Sequence, residues 1–336
     1  MRGESAAMMQ CVVCDEPGRM SIHERDLPGQ APEGWVLVDI AAAGICGTDY
    51  HIFEGKHPFL QYPRLIGHEL SGHVASGPNK GQLVVINPYI SCGTCRACRR
   101  GKPNCCTRIE VLGVHRDGGM CQRIAVPAEN LYPAEGLTPE QAAMVEFLAI
   151  GAHAVQRSGT GPGDVVLVTG AGPIGIGTAL FARIAGAEVH LMDLSDARLE
   201  LAGSLFGFDK HHKPGEDILQ GDLAEGFDVV FDATGNAKAI EAGFPLVAHG
   251  GSTVLVSVVK DDISFTDSEF HKREARIIGS RNALKDDFER VMKAIRDGHI
   301  PTDAIASRTI ALPDLPKHFP GLVEDRENLV KVLVTP

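Results

Sequence analysis

An uninterrupted apolar run, Val165 to Thr169, leads straight into Gly170-Ala171-Gly172-Pro173-Ile174-Gly175, and Ile176 to Ala185 then carries apolar positions at helical spacing. Few local patterns restrict a fold so strongly. The first glycine permits a tight turn, the second lets the main chain approach a pyrophosphate, and the third lets the helix pack against the strand. Free N–H groups and the positive end of the helix dipole face the phosphates. Asp193 ends the next apolar strand, 18 residues after Gly175. A carboxylate there can accept from both ribose hydroxyls of NAD and repels the 2′-phosphate of NADP. An ordinary tight turn and a helix cap would not require this joint register. Thr234 and Gly235, in a loop after a later strand, are expected to line the same crevice, with Pro173, Ile174 and Arg198 also at the cofactor.

This fingerprint lies near the middle of 336 residues, more than one hydrophobic core usually organises, so two domains are expected. Up to about residue 150, short apolar runs (Trp35 to Ala41, Leu83 to Ile86, Gln122 to Val126) are separated by Gly and Pro, which reads as a mainly β domain. Beyond it, apolar strands at Val165 to Val168, Val189 to Met192, Val229 to Phe231 and Thr253 to Val259 alternate with helical segments. Such strands form a parallel sheet covered on both faces. The expected fold is α/β: a doubly wound domain over 151–282, inserted into a β-rich domain over 1–150 and 283–336.

Composition excludes several function classes. Lys and Arg total 32 against 43 Asp and Glu, a net charge of -11 that argues against a nucleic-acid partner. The strongest apolar stretch, Val165 to Ala187, is broken by glycines, Pro173 and Arg183, so no membrane span is expected. The opening MRGESAAMMQ lacks the basic and apolar regions of a secretory signal, and a cytoplasmic location is expected.

Nine cysteines then need an account other than a disulfide framework. Cys92, Cys95, Cys98 and Cys106 follow one another at spacings of 3, 3 and 8, in a loop rich in Arg and Lys. Four thiolates can close a tetrahedral zinc site with no open position, which is structural rather than catalytic. Cys105 competes with Cys106 for the last place. Cys11-Val12-Val13-Cys14 has C-x-x-C spacing, but in a strand-like run that sends the two thiols to different sides, so this pair reads as core. A second candidate metal site combines Cys46, in Gly44-Ile45-Cys46-Gly47-Thr48-Asp49, with His68 and Glu69 after Gly67. One thiolate, one imidazole and one oxygen leave a zinc ion with an open position.

These elements in this order resemble the zinc-dependent medium-chain alcohol and polyol dehydrogenases over essentially the whole chain. The resemblance implies a chaperonin-like (GroES-like) catalytic domain carrying two zinc ions, a Rossmann domain binding NAD across a cleft, and a homodimer or homotetramer. It implies that Glu146, in Val145-Glu146-Phe147, is the third protein ligand of the catalytic zinc beside Cys46 and His68, with Glu69 close by or exchanging. Thr48 and His51 match the family's proton relay.

Gly113 to Gly119, Phe270-His271-Lys272 and Gly279-Ser280-Arg281-Asn282 resemble a bacterial subgroup that contains L-galactonate 5-dehydrogenase and the starvation-sensing dehydrogenases of sugar-acid catabolism. A polyol or sugar-acid substrate is implied, and His115, Arg116 or Arg281 could pair with an aldonate carboxylate. A sorbitol-, threonine- or simple-alcohol-type enzyme is the alternative within the family. A catalytically idle regulatory or binding protein is the alternative outside enzymes, and the intact Cys46, Thr48 and His68 weigh against it. Three positions depart from the family pattern: Phe147 follows Glu146 in place of Pro, Gly81-Gln82 replaces Gly-Asp, and Ser257 stands where many members carry Gly.

Overall fold

The computed structural model describes residues 7–57 and 60–336; most of the amino-terminal opening therefore lies outside the described residues. The chain divides into two compact units, Met1–Glu146 with Ile305–Pro336, and Phe147–Ala304.

The first unit is β-rich. Its larger sheet runs in the order Leu131–Pro133, Leu83–Ile86, Glu69–Val74, Trp35–Ile45, Lys331–Thr335 and Ala306–Ala311, with Arg123–Pro127 also pairing to Trp35–Ile45. A smaller sheet sets Met8–Glu16 between Arg19–Asp26 and Arg64–Leu65. The long strand Trp35–Ile45 is the axis of the larger sheet. On one side Gly44 pairs antiparallel with Glu69, and on the other Ile45 pairs with Val332. One end of the sheet thus gathers Cys46, Glu69 and Lys331 from three distant parts of the sequence. Beneath it Val12, Val13, Leu70, Ile86, Leu315, Phe319, Leu322 and Val332 share one buried cluster.

The second unit is a parallel sheet. Val165–Thr169 is its first strand in the chain; Glu188–Met192 and His211–His212 lie on one side of it, and Phe227–Asp232, Val247–Leu255 and Arg276–Gly279 on the other. All five pairings are parallel. This is the doubly wound order in which direction reverses beside the first strand, and ligands bind at the carboxyl edge there. Val166, Leu167 and Val168 are fully buried, as expected for a strand covered on both faces.

The return to the first unit comes at Ile305, later than the expected 283. The helix Lys285–Arg296 accounts for the difference: it buries Phe288, Val291, Met292 and Ile295, and its Asp287 carboxylate meets His153 Nδ1 at 2.7 Å. Asp287 also accepts from Leu284 N–H at the start of the helix (2.9 Å) and from Arg290 (2.8 Å), so the helix is fastened to the cofactor-type unit. Among the described residues no helix is long and apolar enough to cross a membrane.

Candidate active site and cofactor site

At the end of the strand Trp35–Ile45 the chain turns into the helix Gly47–Phe53, with Cys46 as its cap residue. Asp49, fully buried, accepts the Cys46 N–H at 2.9 Å and so fixes how the helix starts and where the Cys46 sulfur points. Burial pushes the Asp49 carboxyl up from its ordinary value, with His68 opposing. Thr48 Oγ1 lies 3.8 Å from Cys46 Sγ. His51 is on the exposed part of the same helix. Partial desolvation lowers its pKa, Glu54 opposing and Arg326 and Lys56 adding to the effect.

His68 and Glu69 arrive from a turn that only glycine can make. Gly67 has φ of +97°, and a Cβ there would lie 2.6 Å from Met120 Cγ. His68 is 6% exposed and its Nδ1 has no hydrogen-bond partner, Asp49 Oδ1 being 4.0 Å away. Burial opposes charge on His68, but the Cys46, Asp49 and Glu146 charges outweigh it and hold the imidazole well above its usual range. Glu69 is fully buried, and Lys331 Nζ, itself 1% exposed, sits 2.7 Å from its Oε1 and 2.6 Å from its Oε2. Lys331 also donates to Ile45 O at 3.1 Å.

The Cys46, His68 and Glu69 ligand atoms lie within 4.8 Å of one another. Glu146, expected in that set, is buried but stands outside the triple; its Oε1 accepts a hydrogen bond from Tyr89 O–H. Glu69 joins the triple because it follows His68 directly on its strand, whereas Glu146 is bonded to Tyr89. Burial raises the Glu146 carboxyl to about 7, with His68 and Tyr89 opposing and Glu69 reinforcing. The donor set fits a zinc ion: a thiolate sulfur, a buried imidazole nitrogen with no protein partner and a carboxylate, all converging where Gly44 leaves room for the Glu69 side chain.

A second cluster brings Cys92, Cys95, Cys98 and Cys106 to the same mutual distance, whereas Cys105 is exposed and not part of it. Cys95 and Cys98 are 3.4 Å apart, and the N–H groups of Cys92 and Arg108 each approach Cys106 Sγ at 3.3 Å. The Arg108 guanidinium beside Cys92 lowers that thiol to about 5. Four sulfurs with backbone N–H groups and an arginine at the rim suit a closed tetrathiolate site.

In the second unit the fingerprint has the expected geometry. Gly170 has φ of +91°, and a Cβ on Gly175 would lie 1.7 Å from Gly170 O. Pro173 and Ile174 open the helix Pro173–Ile184, and Gly172 caps it. Asp193 accepts from Ala171 N–H (2.7 Å) and Ser195 N–H (2.8 Å), so it braces the turn as well as facing it. Arg198 Nη1 is 3.8 Å from the same carboxylate. Thr234 bonds to Asp232, and Gly235 N–H donates to Ser257 Oγ at 2.7 Å, which gives the unexpected serine a place in the loop.

The three cations expected at the substrate differ in their engagements. Arg116 pairs with Glu110 at 3.0 Å and lies over the Trp35 ring at 4.8 Å. His115 Nδ1 accepts the Val111 N–H at 3.1 Å. Arg281 is exposed, in the second unit. Asp49, Tyr89 and Lys331 are the site residues that sequence reasoning passed over.

Two family models match the chain: the alcohol dehydrogenase GroES-like domain over residues 32–136 and the zinc-binding dehydrogenase over residues 173–297. L-Galactonate-5-dehydrogenase of Escherichia coli (strain K12) is 38% identical over 340 residues, covering 97% of this chain and 99% of the relative. D-Altritol 5-dehydrogenase of Agrobacterium fabrum is 32% identical, covering 89% and 92% respectively. Among solved structures, the alcohol dehydrogenase rspB from E. coli CFT073, complexed with NADH, superposes with a TM-score of 0.91 at 30% identity, covering 98% of this chain and 100% of that one.

Proposed function

The chain belongs to the zinc-type medium-chain alcohol and polyol dehydrogenases, and from that premise we propose that it oxidises a secondary alcohol of a sugar acid, an aldonate such as L-galactonate, to the ketone with NAD. The buried triple of Cys46, His68 and Glu69 carries the reading of the reaction. The 38% identity to an L-galactonate dehydrogenase supports the substrate class.

Cys46, His68 and one of the two carboxylates, Glu69 or Glu146, hold the catalytic zinc in this reading. Cys92, Cys95, Cys98 and Cys106 hold the structural one. When bound, zinc acidifies an alcohol and nicotinamide takes up a hydride. The chain's own residues do the rest. Thr48 Oγ1 accepts the substrate hydroxyl proton as it releases its own, and His51 passes that proton to solvent. Asp49 keeps Cys46 in place through its backbone N–H. Lys331 balances the Glu69 charge where both side chains are buried. The Gly170 to Gly175 turn and the helix behind it take the pyrophosphate, and Asp193 takes the ribose hydroxyls in preference to a 2′-phosphate.

His115, Arg116 or Arg281 is the cation we propose for the substrate carboxylate, Arg281 being exposed in the subgroup-like stretch Gly279 to Asn282. We infer a homodimer or homotetramer in the cytoplasm from the family resemblance. An NAD-reduction screen over aldonates, polyols, threonine and short alcohols, run on protein whose zinc content is measured, tests the proposal. Aldonates should win, with two zincs per chain. Threonine as best substrate, or one zinc or none, overturns it. An Arg281→Ala variant that keeps the parental preference for an aldonate over its uncharged polyol removes that residue from the role.

A further inference from the structure

Three buried cysteines take no part in either metal cluster: Cys11, Cys14 and Cys121. Cys14 has no thiol partner; its sulfur approaches Glu16 O at 3.5 Å, and burial pushes its thiol up to about 11. Cys11 and Cys121 are placed differently. They face each other as an antiparallel bridge, outside the regular strand pairing, and are 0% and 1% exposed. The bond from Val12 N–H to Met120 O, 2.8 Å, flanks the pair. A bond between the following residue on one chain and the preceding residue on the other marks a non-hydrogen-bonded pair. In such pairs the Cα atoms are about 4.5 Å apart and the side chains are close. That separation lies in the range that disulfides span, about 4.4–6.8 Å.

We propose that Cys11 and Cys121 are an oxidisable dithiol that peroxide closes to a disulfide, joining the strand Met8–Glu16 to the segment that braces the His68 turn. Cys121 lines an open groove of about 390 Å³ together with Arg25, Trp35 and Arg116, which gives a small oxidant a route to the Cys121 side of the pair.

The chemistry balances as two displacements. One thiol of the pair gives up its proton and attacks one peroxide oxygen, the O–O bond breaks, and the hydroxide leaves with that proton as water, a sulfenic acid forming on the attacking sulfur. The other sulfur then attacks the sulfenic sulfur; the S–O bond breaks, its own thiol proton goes to the departing hydroxide, and a second water leaves. Two thiols are oxidised by two electrons and one peroxide is reduced to two waters.

The disulfide would act close to the metal triple. Gly118, Gly119 and Met120 donate their N–H groups to Leu65, Gly67 and Ile66 carbonyls at 2.8, 3.0 and 3.0 Å, so the residues just ahead of Cys121 hold the main chain that leads into His68. Drawing Cys121 towards Cys11 bears on that brace, and a reversible fall in kcat is expected.

The test uses zinc-loaded protein treated with about one equivalent of hydrogen peroxide, then denatured, alkylated, digested and analysed by mass spectrometry. A linked Cys11–Cys121 peptide pair that dithiothreitol separates is expected, with Cys14 alkylated as before, both zincs retained and kcat restored on reduction. Cys11 and Cys121 both remaining alkylatable while activity falls, or zinc leaving first, overturns the proposal. Cys121→Ser should keep basal activity and abolish both the cross-link and the reversible loss of kcat. Should that variant fold poorly, Cys11→Ser serves the same purpose; a reversible loss of kcat that persists in either variant overturns the proposal.

Discussion

Replacing Asp193 tests the cofactor reading without any knowledge of the substrate. A carboxylate offers about four lone-pair sites. Two already receive Ala171 and Ser195 N–H groups, at 2.7 and 2.8 Å. The remaining two match the two hydroxyls of one ribose. Hydrogen bonds to a charged group contribute about 1.5–3 kcal/mol each, so losing both at the lower figure costs about 3 kcal/mol, roughly a 100-fold weaker NADH complex. NADPH should respond in the opposite direction. Removing the like charge is worth about 1–3 kcal/mol, roughly five- to 150-fold in affinity, and Arg198, 3.8 Å from the carboxylate, is released to meet a 2′-phosphate. Fluorescence titration of Asp193→Ser with NADH and NADPH reads both numbers. Because the same substitution removes two bonds within the turn, circular dichroism and thermal denaturation must show the variant folded. An NADH affinity within threefold of the parent, or equal weakening of both cofactors, refutes the reasoning.

Two other predictions concern stability and metal. The Asp287 carboxyl lies below its ordinary value: burial opposes, but the His153 and Leu284 hydrogen bonds prevail. A depressed folded-state pKa contributes stability above the unfolded value of about 3.9 that is lost as pH falls through the lower folded value. Urea denaturation should show Asp287→Ala less stable by about 3 kcal/mol at neutral pH, with the gap closing below about pH 4; a constant gap would assign the loss to packing alone. For the tetrathiolate cluster, Cys106→Ser should reduce bound zinc from two to one per chain by atomic absorption, whereas Cys105→Ser should leave it unchanged.

Local signals made much of this legible. The strand, turn and helix around Gly170 could be read from adjacent residues because the constraints at that turn act between neighbours. The cysteine knot was legible for the same reason, and geometry separates Cys106, which joins the sulfurs, from exposed Cys105. What escaped was long-range. Lys331 sits in the apolar run Leu329 to Val334, where its charge was itself a signal, but its partner is 262 residues away. Tyr89, which holds Glu146, carries no motif. The helix after residue 284 groups with the second unit, and the Asp287 to His153 pair that fastens it there spans 134 residues and leaves no periodic trace.

The pairing of Glu69 with Lys331 also imposes an order on biosynthesis. A chain emerging amino end first presents Cys46, His68 and Glu69 while their counter-cation and its neighbouring strand are still untranslated. At about 5–20 residues per second the wait is roughly 15–50 s, since 262 residues separate the two partners. Throughout that interval the whole cofactor-type unit can emerge and fold ahead of the sheet into which it is inserted. The nascent thiolate and imidazole meanwhile face the cell without their finished enclosure, and any metal captured then is captured by an unlocked site. Closure of the sheet by Lys331–Thr335 is the event that sets the final charge of that site.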